Sequence, residues 1–83
     1  MPSKTLFIVQ QFERQGKKLV AGRVIEVASA EAAILRAERG ADRLAGVVAL
    51  TQTIDVDTGE VLEEPVVLAR HGELPREFSA DEV

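Results

Sequence analysis

The sequence contains no cysteine, tryptophan, tyrosine or asparagine, and it has one histidine and one methionine. Without cysteine, disulfide frameworks, thiolate metal sites and thiol catalysis are excluded. One imidazole and no phenol leave little from which to assemble general acid–base chemistry. Only three residues are aromatic, Phe7, Phe12 and Phe78, so any core must be aliphatic. Long hydrophobic runs are also missing. The longest purely apolar stretch is four residues, as in Leu6 to Val9, against the roughly 20 that a membrane-spanning helix needs. No apolar segment of signal-peptide length, about 7–15 residues, stands near the N-terminus, which makes the cytoplasm the expected location.

What remains is a chain of 83 residues, 46% hydrophobic and 29% charged, with a mean hydropathy of +0.03. That is too apolar for a disordered tail and too short for two cores. A single domain over residues 1–78 is expected, followed by a mobile acidic tail at 79–83. A domain of this size is marginal alone, and this one has neither disulfides nor an evident structural metal. Self-association is the remaining common stabiliser, so a homodimer is expected.

Thr5 to Glu13 is rich in aromatic and β-branched residues and reads as a strand, broken by Arg14-Gln15-Gly16-Lys17. Lys18 to Val27 then alternates, with Leu19, Ala21, Ile25 and Val27 expected on one face. Arg23 interrupts that face, and Gly22 signals a bulge or a close neighbouring backbone. Ser29 is a helix N-cap, and Glu31 in the first turn suits the positive end of the helix dipole. Ala30, Ala33, Ile34, Ala37, Ala41, Leu44 and Ala45 fall in one arc of a helical wheel, so a close-lying, alanine-faced helix is expected. Gly40 falls outside that arc and predicts a fray or kink, while Gly46 is the expected stop.

Val47 to Val56 carries the second strong strand signal, with Val48, Leu50, Ile54 and Val56 in phase. A turn over Asp57-Thr58-Gly59-Glu60, opened by Asp57, returns the chain through Val61 to Ala69. Pro65 cannot donate to a ladder, which places that strand at an edge or splits it. Leu74, with Phe78 as the second candidate, is expected to dock. The implied architecture is α+β in the order ββαββ: a four-stranded, mainly antiparallel sheet with one helix packed on one face. One helix cannot cover both faces, so the other face is expected to solvate or to meet a partner.

Charge is unevenly distributed. Residues 1–43 carry a net +3 and residues 44–83 a net −7, giving the overall −4. On the helix, Arg36, Arg39 and Arg43 form one stripe, while Glu31, Glu38 and Asp42 lie on the opposite flank. Arg39 with Arg43, and Glu38 with Asp42, are like-charged pairs at i, i+4, which a helix shaped only for solubility tends to avoid. Arg39 can still reach Asp42 at i+3. Guanidinium groups bind phosphate and carboxylate bidentately, so the stripe is a candidate interaction surface. The alternative is a solvated helix face paired with the acidic second half. Leu35, beside the stripe, is a candidate interface anchor.

Other chemistries fit poorly. Asp55-Val56-Asp57 with Gly59 and Glu60 superficially resembles a calcium loop, but Gly59 and Val66 stand where that loop needs ligands. His71 has only Glu73 near it in sequence, which is too little for a metal site. Ser29 is used as a cap, and Ser3 and Ser79 lie in expected tails, so no serine nucleophile has a placed base. No glycine-rich phosphate loop exists. Nothing here calls for catalysis, a cofactor or a metal.

Leu6-Phe7-Ile8-Val9-Gln10-Gln11 begins like the first short motif of the RNA-recognition fold, but its companion basic-Gly-aromatic motif is absent. A pI near 4.9 also argues against a phosphate-binding role. Ala45 to Ala49 and Leu68 to Pro75 give the chain its resemblance to small uncharacterised bacterial proteins of about 80 residues, a resemblance that implies no activity. The expected function is therefore a small non-catalytic protein-interaction module, with itself as a homodimer or another protein as partner and no membrane contact. A weak nucleic-acid-binding or regulatory module using the arginine stripe is the alternative, and a small acidic mimic of a nucleic-acid surface is a third reading.

Overall fold

Residues 2–78 are described by the computed structural model. The acidic tail expected at 79–83 lies outside them. Strand β1 (Ser3–Gln15) and strand β2 (Lys18–Val27) form an antiparallel hairpin. The turn between them is only Gly16-Lys17, shorter than the expected four-residue break. Gly16 takes φ +63 there, and a glycine in the first central position suits a two-residue hairpin whose twist matches its strands.

The sheet is completed by β3 (Gly46–Asp55) and β4 (Val66–Gly72), in the order β2-β1-β3-β4, with every neighbouring pair antiparallel. Helix α1 (Ala30–Gly40) connects the two hairpins and packs on one face. The class is α+β in the order ββαββ, as the sequence implied. Among the described residues no helix is long and apolar enough to cross a membrane.

The bulge announced by Gly22 changes which side chains share a face. Gln10 pairs with Val24 but Phe12 pairs with Ala21, leaving Gly22 and Arg23 opposite Gln11 alone. A two-against-one step reverses the alternation beyond it. Leu19, Ala21, Ile25 and Val27 therefore do not share a face. Ile25 and Val27 join the helix-side cluster with Val9, whereas Leu19 joins Phe12 on the other side. The Gln10 side-chain amide donates to the carbonyls of Gln11 (2.9 Å), Arg23 (3.3 Å) and Gly22 (3.4 Å), which satisfies oxygens the interrupted ladder leaves over.

Ser29 caps the helix as expected, its hydroxyl accepting from Ala32 N at 3.1 Å. The buried helix face is Ala33, Ala37 and Gly40. Two expectations need correction here. The helix stops at Gly40, not at Gly46, because Gly46 already belongs to β3 and pairs with Phe12 and Gly72. Gly40 is buried, not peripheral: Leu44 folds back beneath it, and a Cβ at Gly40 would lie 3.1 Å from Leu44 Cδ1.

β3 is a central strand whose first half is buried on both faces, which explains its continuous apolar run. Val47 and Ala49 face the helix, while Val48 and Leu50 face away. The turn that follows is opened by Asp55, not Asp57. The buried Asp55 carboxylate accepts from Asp57 N (2.8 Å) and Thr58 N (3.3 Å), and Gly59 takes φ +77. Val56, expected within the strand, is therefore an exposed turn residue. The returning strand is both split and marginal, as Pro65 required: Val61 makes one bridge to Ile54, and β4 resumes at Val66 on the sheet edge.

The face away from the helix is partly covered by the chain itself. Leu74 and Phe78 pack against Phe12, Val48 and Leu50, with the Phe12 and Phe78 rings 6.0 Å apart. Arg70 Nε donates to Phe78 O at 2.9 Å and fixes the short 3-10 turn Arg76–Phe78. The uncovered face anticipated from one helix is thus shorter than the sheet.

Candidate functional site

Three of the four candidate residues come together. Arg36 and Arg39 project from one flank of α1, and Arg43 follows in the turn after it. Together with Gly40 and Leu44 they form one wall of a groove of about 520 Å³, while Gln11 and Arg23 supply the other wall from β1 and β2. Leu35 does not join them. It lies among the residues outside the groove, about half exposed on the helix surface.

The sequence offers Arg23 only as one of a loose basic set with Lys17, Lys18 and the helix arginines, and of the three residues outside the stripe it is Arg23 that lines the groove. Its signal was visible as the one charge interrupting an apolar face. Two residues from Ile25, it shares the helix side of the sheet with Ile25 and Val27, next to the arginine stripe. Four guanidinium groups thus surround one opening, all on exposed residues, with a floor from the buried Gly40 and the half-buried Leu44.

None of the four arginines makes a salt bridge or a side-chain hydrogen bond among the described residues. The i+3 pairing of Arg39 with Asp42 does not form there, nor does pairing between the stripe and the acidic second half. The ion pair that does link the two halves is Arg14 with Glu73, where Arg14 Nε also donates to Glu73 Oε1 at 3.0 Å. Like charges held around one opening repel each other, and a bound anion relieves that repulsion while accepting paired N–H donors.

His71 is placed elsewhere, on β4 at the opposite sheet edge, paired with Val47 on the helix face. Its Nε2 is buried and has no hydrogen-bond partner among the described residues. Among the described residues no group of three or more His, Asp or Glu side chains is placed to hold a metal ion. An orphaned buried nitrogen is costly, so His71→Leu is expected to raise stability by about 1 kcal/mol, read as a higher urea midpoint with unchanged slope. A lower midpoint would mean that the imidazole is satisfied.

In comparisons with known proteins, no family model matches the chain, no curated protein matches it and no solved structure matches its fold.

Proposed function

We propose that this chain is a small, non-catalytic, cytoplasmic protein-interaction module that receives an acidic segment of its partner in the arginine groove. The observation that carries the reading is the meeting of Arg23, Arg36, Arg39 and Arg43 around one opening, with no carboxylate bound to any of them among the described residues. Guanidinium groups are the donors best suited to carboxylates at an interface, being planar, always charged and weakly hydrated.

Nucleic acid suits this surface less well. Binding to single strands relies on aromatic platforms for the bases. Here Phe12 is buried, and Phe7 and Phe78 are half-buried in the two core clusters, away from the groove. A long polyanion would also meet the net −7 of residues 44–83. A short acidic segment confined to the groove avoids that repulsion.

Fluorescence anisotropy with a labelled acidic peptide, and separately with labelled DNA and RNA, at about 50 and 200 mM salt decides between these readings. The peptide is expected to bind, and the R39E/R43E variant to bind it about tenfold more weakly or worse, the scale of one lost charge-assisted hydrogen bond. Peptide affinity indifferent to that reversal would overturn the reading. Nucleic-acid binding with a log–log salt slope of roughly −2 to −3, lost in Arg39→Ala, would replace it with the nucleic-acid alternative.

A further inference from the structure

The chain itself carries an acidic segment of the kind the groove would take. Val56 to Val66 is exposed at every residue and includes Asp57, Glu60, Glu63 and Glu64, with no Lys or Arg among them. None of these carboxylates is in an ion pair among the described residues, and Lys4 at the same end of the sheet does not pair with them. The segment is also apolar: Val56, Val61, Leu62 and Val66 are 48%, 51%, 47% and 60% exposed. The segment thus offers apolar surface to pack beside arginine stems and carboxylates of the sign the groove would take.

The segment is held in shape as far as Leu62. Asp55 N donates to Glu60 O (2.9 Å), Gly59 N to Asp55 O (2.7 Å), Glu60 N to Thr58 Oγ1 (3.1 Å) and Leu62 N to Thr53 O (2.9 Å). A preformed loop loses little conformational entropy on binding.

Topology keeps the loop from its own groove. In the β1–β3 ladder Ser3 pairs with Asp55, where the loop begins, while Gln11 pairs with Val47 at the groove end. Those positions on β1 are eight residues apart, about 26 Å along an extended strand. The loop then leads to β4, at the edge of the sheet opposite β2. The molecule is therefore charged at two separated places, a basic groove and an acidic loop, along a body 43 Å long.

We infer that copies of this chain associate with one another by seating the acidic Val56–Val66 loop of one copy in the arginine groove of another. The inference rests on the groove being the docking surface and names the occupant. Four arginines meet four carboxylates, and the exposed valines and leucine pack beside the stems of the arginine side chains. Because the two contacting surfaces differ, the contact is heterologous. It closes when two copies exchange loops or when several complete a ring, and otherwise it extends.

Sedimentation velocity of the full chain from about 10 to 500 μM, at about 50 and 300 mM salt, provides the test. Mass is expected to rise with concentration at low salt and to fall back at high salt. R39E/R43E and E63K/E64K are each expected to weaken association about tenfold or more, and an equimolar mixture of the two to restore it, because each variant keeps the surface that the other lacks. A wild-type chain that stays monomeric throughout, or a mixture no more associated than its components, would overturn the inference. If an unrelated acidic peptide still binds the groove of that monomeric chain, the interaction-module reading stands and only the self-association fails.

Discussion

Gly46→Ala is expected to remove a large share of the stability of this domain, while Gly16→Ala is expected to cost only about 1 kcal/mol. At Gly16 the added methyl meets nothing within 4 Å, and the penalty is that of holding an L-residue at φ +63. At Gly46 a Cβ would overlap the carbonyl oxygen of Glu73. The obstacle is backbone, so no change of rotamer can clear it. It is also fixed from the other side: Glu73 N donates to Ala45 O at 2.8 Å, and Gly72 crosses with φ +74 where its own Cβ would overlap the Ala45 carbonyl. The two chain segments touch main chain to main chain at the end of the β3–β4 ladder. Relief requires Gly46 to leave its pairing with Phe12 and Gly72, which opens the buried end of the central strand.

A loss of about 3–5 kcal/mol is expected, the scale of substitutions that break a specific backbone constraint. A domain of this size is held by only about 4–12 kcal/mol. Urea unfolding of the two variants beside the wild type measures the difference. A Gly46→Ala variant no less stable than Gly16→Ala would show that the crossing can relax.

Gly46 also shows where sequence reasoning stops. A glycine after an alanine-rich helix reads as a helix stop, because the local signals for a stop and for a backbone crossing are the same residue. What distinguishes them is Glu73, which is distant in sequence. The same limit applies to β2. The bulge was legible in Gly22, but its consequence for the faces needed the pairing of Phe12 with Ala21. Once that is known, Ala21 and Leu19 leave the face of Ile25, and Arg23 stays on it as a wall of the groove. Local features are legible: the Ser29 cap and the split at Pro65 each follow from chemistry within a few residues. Arg36, Arg39 and Arg43 were legible for the same reason, since helical spacing alone puts them on one flank. That Arg23 and Gln11, not Lys17 or Lys18, face them across a groove is not legible, because the packing of the helix on the sheet decides which strand side chains lie opposite.

The second large effect is expected at Phe12. Its side chain is 4% exposed and lies on the sheet face away from the helix, beneath Leu74 and Phe78. Phe12→Ala removes the largest buried side chain of that cluster and leaves a cavity beside Val48 and Leu50, at a cost of about 3–5 kcal/mol. Phe78→Ala is expected to cost less, because Phe78 is only half-buried and much of its contribution is the ring pair with Phe12, worth about 0.5–1.5 kcal/mol beyond burial. The two losses should not add. Once Phe12 is gone, Phe78 has already lost its ring partner, so the double variant is expected to fall short of the summed singles. Additive losses would mean that the C-terminal segment docks without using Phe12. The arginine groove provides the control, since it lies on the helix side of the sheet and contains neither ring. Phe78→Ala is therefore expected to keep its affinity for an acidic peptide under conditions where it is still folded. A parallel loss of affinity would show that the C-terminal segment, not only the helix flank, holds the groove open.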